Sequence, residues 1–196
     1  TRWLNVTGVQ TCALPISFFA APPEFRRSRL TAFGMTRRAG RSADNDPGLN
    51  ALLVTPARVA TMVGKSWDFQ VTVALGIELD ENLRMISDSV RHALTKVDEV
   101  MFDSEHFFDG YKANPAYALS AVRAAYEAGA RWMVLCDTNG GTLPHEMRRI
   151  ARDDAGERLG SGLDLHQPPI LQREQVTVPE GPRFRKVEKE LDPLLT

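Results

Sequence analysis

Short apolar runs alternate with amphipathic, helix-like segments along most of this chain. Four runs are predicted to be buried strands because they are short and bounded by polar or turn residues. These runs are Leu30–Gly34, Arg58–Val63, Val100–Phe102 and Trp132–Cys136. Strands that alternate with helices at intervals of roughly 30–40 residues favour βαβ units, and hence an α/β fold with a parallel sheet and helices outside it.

The helical segments carry their own start and stop signals. The clearest spans Glu78–Leu94, where apolar side chains recur every three or four residues and charged side chains occupy the other side. An alanine-rich helix is predicted at Asn114–Ala128, because asparagine caps its start, proline follows, and a glycine stands after its end. Two shorter helices are predicted at Pro47–Val54 and Leu143–Arg152.

Both ends of the chain depart from this pattern. Residues 1–28 show no period of 2 or 3.6 and are predicted to form an irregular leader. Residues 161–196 have the composition of a solvated, partly disordered segment, so the predicted domain covers residues 29–160. The stretch Cys12–Ala21 resembles the core of a secretory signal, but a proline interrupts it and only one basic residue precedes it, which argues against that interpretation.

Charge and cysteine content exclude several functional classes. The 196 residues include 24 Lys and Arg against 25 Asp and Glu, so no net charge favours nucleic acid or an anionic membrane. No apolar run approaches the ~20 residues of a membrane-spanning helix. The two cysteines are far apart in the sequence and form no disulfide or metal-binding pattern, which makes the cytoplasm the expected location.

The carboxyl end of the Val100 strand holds the strongest candidate for chemistry. Glu105 stands where α/β folds place functional groups, and the two phenylalanines that follow it can raise its pKa and suit it to act as an acid or base. The alternative is a surface carboxylate paired with Lys112 or Arg131. His106 is expected on the opposite face, because adjacent strand residues alternate. Lys65 and Ser66, which follow the Arg58 strand, are expected to line a polar rim.

A second polar segment, Asp137–Gly141, follows the Trp132 strand. Thr138 offers a hydroxyl donor, and the glycines allow backbone N–H groups to approach an anion; an ordinary strand-to-helix turn is the alternative. Cys136 is flanked by apolar residues and is predicted to be a core residue, not a nucleophile. Arg37 and Arg38 follow the first strand as either a solvated pair or an anion contact.

Four segments together resemble a known family. They are Phe33–Arg38, Gly64–Asp68, Ser104–Pro115 and Leu135–Pro144. In them the chain is similar to citramalate synthases, which belong with the 2-isopropylmalate and homocitrate synthases among the DRE-TIM metallolyases. The resemblance covers about Arg29 to Gly160 and implies a partial (β/α)₈ TIM barrel of about four βα units, corresponding to strands three to six of the family barrel.

The resemblance also implies a reaction and a site. Acetyl-CoA would condense with a small 2-oxo acid, pyruvate for citramalate synthase, as a step towards isoleucine. Glu105 matches the family's catalytic glutamate and Thr138 the threonine that binds the oxo-acid carboxylate, with Asn139 and Arg37 as further substrate contacts. A divalent metal ion (Mg, Mn or Zn) would polarise the ketone in the complete enzyme, which is expected to be a homodimer.

The chain also departs from the family. The opening Asp-Thr-Thr-Leu-Arg-Asp-Gly motif, which supplies a metal aspartate, is missing, and so is the His-x-His-Asn-Asp motif expected after Gly160. The family's metal ligands are therefore absent, and this chain is expected to bind no metal and to be inactive. The alternatives are 2-isopropylmalate or homocitrate synthase, and, in a different class, a non-catalytic fragment.

Overall fold

The computed structural model describes residues 2–7 and 28–154 of the chain. The strands are β1 (Arg2–Thr7), β2 (Ser28–Met35), β3 (Val59–Lys65), β4 (Glu99–Glu105) and β5 (Trp132–Leu135). The α-helices are α1 (Pro47–Leu53), α2 (Leu79–Ala93), α3 (Phe107–Ala113), α4 (Pro115–Glu127) and α5 (Pro144–Arg149). A 3₁₀ turn at Ala43–Asn45 and π-helical segments at Gln70–Leu75 and Ile150–Asp154 complete the described elements.

The strands form one sheet in which every neighbouring pair is parallel and the spatial order follows the chain order. The predicted α/β fold with a parallel sheet is therefore confirmed. All four predicted strands are present, each within a few residues of its expected bounds. Parallel pairing brings the carboxyl ends of the strands to one edge of the sheet, which is where the candidate site lies.

The predicted irregular leader is wrong at its start. Strand β1 occupies Arg2–Thr7 and pairs in parallel with β2, Arg2 lying opposite Ser28 and Thr7 opposite Phe33. Polar Asn5 interrupts the apolar residues of this segment, so the segment forms no continuous apolar run, and its pairing with β2 defines it as a strand. The rest of the predicted leader, the tail at 161–196 and the end of the predicted domain after 154 lie outside the described residues.

Helices cover a single face of the sheet. Ala60, Val100 and Phe102 of adjacent strands point to that side and pack in a buried cluster with residues of α1, α2 and α4. When strand order follows chain order, crossovers of one hand keep every helix on the same face, as in a barrel; a doubly wound sheet reverses direction and covers both faces. The topology thus favours part of a barrel.

The other face carries the alternate residues of each strand. Lys65 lies opposite Glu105 in the register of β3 and β4, and Asp103 lies opposite Val63 and Val134. Residues in register on parallel strands point to the same side of a sheet. Ionisable side chains therefore gather on the helix-free face towards its carboxyl edge.

Helices α1 and α4 begin where their capping residues predict. The Asp46 carboxylate accepts a hydrogen bond from Leu49 N (2.9 Å) at the start of α1, and the Asn114 side chain accepts one from Tyr117 N (3.2 Å) at the start of α4. Helix α3 was not predicted; it begins two residues after Glu105 and ends directly before the Asn114 cap. In the described parts of the chain, no helix is long and apolar enough to traverse a lipid bilayer.

Ser104 gives a stability prediction. Its hydroxyl lies on the helix side of β4, is fully buried, and has no hydrogen-bond partner among the described residues. Ser104→Ala should therefore raise the free energy of unfolding by about 1 kcal/mol in urea titrations, because a desolvated, unpaired polar atom is removed. Ser89 is the matched control, since its buried hydroxyl accepts from Arg37 N (2.8 Å) and donates to Met85 O (2.7 Å), so Ser89→Ala should destabilise. A loss of stability in Ser104→Ala would contradict the assignment.

Candidate active-site rim

The candidate site lies where β4 and β5 end. The two strand exits are joined by backbone hydrogen bonds from Cys136 N to Ser104 O (3.3 Å) and from Phe107 N to Cys136 O (3.1 Å). Between them, His106 N donates to Thr138 Oγ1 at 2.8 Å. Glu105 and Thr138, the two residues proposed from sequence to carry the chemistry, therefore lie beside each other on one rim.

Glu105 is held by the end of strand β3. Its carboxylate forms an ion pair with Lys65, and its backbone carbonyl accepts hydrogen bonds from Ser66 Oγ (2.8 Å) and Ser66 N (3.3 Å). The alternative considered from the sequence was a surface pairing of Glu105 with Lys112 or Arg131. Instead, Lys112 Nζ lies 3.1 Å from the Thr142 hydroxyl, and Arg131 lies near Glu99. The cation beside Glu105 is supplied by the neighbouring strand, on the same face of the sheet.

The phenylalanines after Glu105 belong to the core of this edge. Phe107 and Phe108 are fully buried, with their ring centroids 5.5 Å apart in an edge-to-face arrangement. They pack with Tyr111 of α3 and with residues of α4. Their burial anchors the start of α3, so the chain turns sharply out of the sheet directly after the glutamate.

Asn139 reaches the same turn from the other side. Its amide donates to Asp109 Oδ2 (3.0 Å), and that oxygen also lies 3.6 Å from His106 Nδ1. The His106 ring lies against Trp67, with 5.8 Å between centroids. The structure thus brings three of the four predicted site residues, Glu105, Thr138 and Asn139, into one connected group.

Arg37 does not join this group. Its side chain is only 6% exposed, and its guanidinium lies 2.9 Å from Glu81 and 2.9 Å from Asp88, both on helix α2. Its backbone N–H is also bound, by Ser89 Oγ. Because the protein's own carboxylates occupy the guanidinium, we do not retain Arg37 among the substrate contacts. Arg38, next to it, is exposed.

Asp103 adds a second carboxyl group that was not among the predicted site residues. It lies two residues before Glu105, on the same face of β4, and burial raises its pKa to about 6. Burial, together with the negative charges of Asp103 and Glu105, raises the pKa of the Cys136 thiol to about 12. The thiol therefore stays protonated at neutral pH, which agrees with the prediction that Cys136 is not a nucleophile.

Strand alternation could have found Asp103, since residues i and i+2 of a strand share a face, whereas nothing local in the sequence indicates the turn at His106.

The resemblance implies a metal ion, yet across residues 2–7 and 28–154 no three His, Cys, Asp or Glu side chains form a group that could hold one. The described residues therefore do not fit that ion.

Known proteins add a family relationship to this geometry. No protein-family model matches the chain. Five curated (R)-citramalate synthases are 45–53% identical to it over about 70% of its length. The enzyme of Aquifex aeolicus is 53% identical over 142 residues, which are 72% of this chain but 27% of that protein. A 2-isopropylmalate synthase of Lactococcus lactis matches more weakly, at 39% over 74 residues, 38% of this chain and 14% of that protein.

A solved structure supports the fold. The crystal structure of hydroxymethylglutaryl-CoA lyase from Pseudomonas aeruginosa superposes with a TM-score of 0.54 at 15% identity, covering 70% of this chain and 44% of that one. A likeness at this identity bears on architecture alone. It agrees with the partial barrel indicated by the one-sided helix layer.

Proposed function

We infer, from the premise that this chain corresponds to about a quarter of an (R)-citramalate synthase, that its rim serves the condensation of acetyl-CoA with pyruvate to give citramalate. The observation that carries the proposal is the placement of Thr138 beside Glu105, through the hydrogen bond from His106 N. The whole protein is further proposed to be a cytoplasmic homodimer, and β2 to β5 to be strands three to six of its barrel.

Each retained residue has a role that follows from its chemistry. Thr138 is exposed and can donate its hydroxyl hydrogen to the carboxylate of the oxo acid. Asn139, tied to Asp109, keeps the loop that carries Thr138 in place. Glu105, paired with Lys65, presents a carboxylate to the reacting groups on the helix-free face. A carboxylate in this place can accept a proton from the methyl group of the thioester as the new carbon–carbon bond forms.

The family's metal would polarise the ketone, but the described residues do not supply its ligands, so this chain by itself is proposed to be inactive. A direct assay tests this proposal. Purified chain should release no CoA from acetyl-CoA in the presence of pyruvate above a blank. Release that depends on both substrates and stops on addition of a chelator would contradict it.

A chimaera tests the role of the rim. In the Aquifex aeolicus enzyme, the segment that matches this chain would be replaced by residues 29–154 of this chain. The resulting chimaera should still release CoA in a pyruvate-dependent reaction. Within the chimaera, Glu105→Gln should lower kcat far more than it raises the pyruvate KM, since a charge acting in the transition state is lost. Thr138→Val should mainly raise the pyruvate KM, by about tenfold or more, because one donor to a carboxylate is removed.

The chimaera also carries its own control. Arg37→Lys replaces a buried arginine outside the rim by a residue of the same charge. It should alter stability and leave the pyruvate KM within about twofold of that of the parent chimaera. An active chimaera in which Glu105→Gln keeps full turnover would remove Glu105 from the mechanism. A chimaera that prefers the larger 2-oxoisovalerate would favour 2-isopropylmalate synthase.

A further inference from the structure

His106 stands out by its backbone. Its φ is 57°, and it is the one residue other than glycine with positive φ in the parts of the chain that the structure describes. Side chains with a Cβ rarely adopt this left-handed conformation, although histidine is among the types that do so more often. Such strain persists where surrounding contacts require it, and it lies here between Glu105 and helix α3.

The left-handed turn directs two successive N–H groups to the same neighbour. In an extended strand, consecutive N–H groups point to opposite edges. At this turn, His106 N donates to Thr138 Oγ1 (2.8 Å) and Phe107 N donates to Cys136 O (3.1 Å), so both point to the exit of β5. The His106 N–H faces β5 because the Glu105 carbonyl of the same peptide group faces Ser66 at the β3 exit, and the left-handed turn redirects the Phe107 N–H to β5 as well.

The hydrogen bond from His106 N determines how the Thr138 hydroxyl can bind other groups. A hydroxyl has one hydrogen and two lone pairs, and here one lone pair receives the His106 N–H. No acceptor for the hydroxyl hydrogen is found among the described residues, and Thr138 is exposed. The hydrogen is therefore available to an anionic ligand at the rim.

The imidazole ring does not serve Thr138 directly. Its Nδ1 is buried without a hydrogen bond to a described residue, 3.6 Å from Asp109 Oδ2, and the ring lies against Trp67. We propose that His106 is a positioning residue: its left-handed turn binds the β5 exit through the Phe107 N–H, holds Thr138 on the His106 N–H, and so commits the threonine hydroxyl as a donor to the carboxylate of a 2-oxo acid. The identity of that ligand rests on the proposed function, whereas the hydrogen bond does not.

Paired variants of the full chain separate backbone from ring. His106→Gly keeps the N–H and adopts positive φ freely, whereas His106→Val keeps the N–H but has a β-branched side chain that opposes it. Thr138→Val removes the acceptor, and Thr138→Ser restores it. Pyruvate binding by ligand-observed NMR should weaken about tenfold or more in His106→Val and Thr138→Val, and stay within about threefold of the parent in His106→Gly and Thr138→Ser.

Amide hydrogen exchange provides the readout that does not depend on pyruvate. The His106 amide should be protected in the parent and in Thr138→Ser, and should lose that protection in Thr138→Val, even if His106→Val fails to fold. Parent-like pyruvate binding in His106→Val, weak binding in His106→Gly, or an His106 amide whose exchange is the same in all Thr138 variants would overturn the proposal. If the parent does not bind pyruvate while the exchange pattern is as expected, the assignment of the ligand fails and the positioning role of His106 stands, while the chimaera tests the proposed function by itself.

Discussion

Replacing Asp103 by asparagine should raise the free energy of unfolding at pH 8 by about 3 kcal/mol and leave it nearly unchanged at pH 4. Burial raises the pKa of Asp103 from 3.8 to about 6. A carboxyl group whose pKa is higher in the folded state contributes stability below about pH 4, and that contribution is lost as the pH rises through 6. The amide cannot ionise, so the variant escapes this loss.

The measurement is a set of urea titrations of parent and variant between pH 4 and 8. The difference in stability should grow from pH 4 to about 6 and then level off. Asp98 supplies a control of opposite sign, because its exposed carboxylate is bound by Arg58 (2.5 Å) and its pKa is lowered. Asp98→Asn should therefore lose stability above pH 4. A constant difference for Asp103→Asn across this range would show that its ionisation is not coupled to folding.

Asp103 also bears on how the rim works. Two carboxyl groups share one strand face, but Glu105 has Lys65 beside it and Asp103 has no cationic partner among the described residues. Because its carboxyl group is buried without a cation beside it, Asp103 keeps its proton to a higher pH than a free aspartic acid does, and its pKa is raised. With a pKa of about 6, Asp103 is mostly ionised at pH 7 and becomes protonated below pH 6, so it can carry a proton on this face under mildly acidic conditions.

Local signals in the sequence were enough for most of the architecture. The caps at Asp46 and Asn114 each act on a backbone N–H three residues away, so their effect is visible in a short window of sequence. The polar residues at the carboxyl ends of the apolar strands are also next to those strands in the sequence, so they too are visible in a short window. Glu105 and Thr138 could be predicted as rim residues because Glu105 is the last residue of such a strand and Thr138 lies in the turn after the next one.

Partners from distant parts of the chain could not be predicted in this way. Lys65 lies 40 positions from Glu105 and reaches it only because β3 and β4 pair in register. Asn82, a polar residue of helix α2, is buried and donates to Lys65 O (2.8 Å) and Tyr117 OH (2.8 Å). The resemblance implied Arg37 as a substrate contact, but helix α2 supplies its carboxylate partners. Each of these contacts depends on tertiary packing, which no local pattern encodes.

Gly110 shows how closely that packing constrains the rim. It lies in helix α3, where a Cβ would be 2.5 Å from Ser66 O and 2.9 Å from Trp67 Cα. Both are backbone atoms of the segment that leaves β3, so neither can rotate away. The same segment binds the carbonyl of Glu105 through Ser66. Contact between helix and backbone at this point therefore holds the β3 exit against the glutamate.

Gly110→Ala should accordingly destabilise the chain by roughly 2 kcal/mol in urea titrations. Overpacking costs up to about 3 kcal/mol, while alanine regains up to about 1 kcal/mol of helix propensity, so the steric effect prevails. The substitution should also move the amide resonances of Ser66 and Trp67, since the β3 exit must shift. Gly141→Ala is the matched control, because a Cβ there meets nothing within 4 Å, and its stability should stay within about 0.5 kcal/mol of the parent. A Gly110→Ala variant as stable as the parent would mean that helix α3 and the β3 exit are not held at this distance, and that contact with α3 does not position the Glu105 carbonyl.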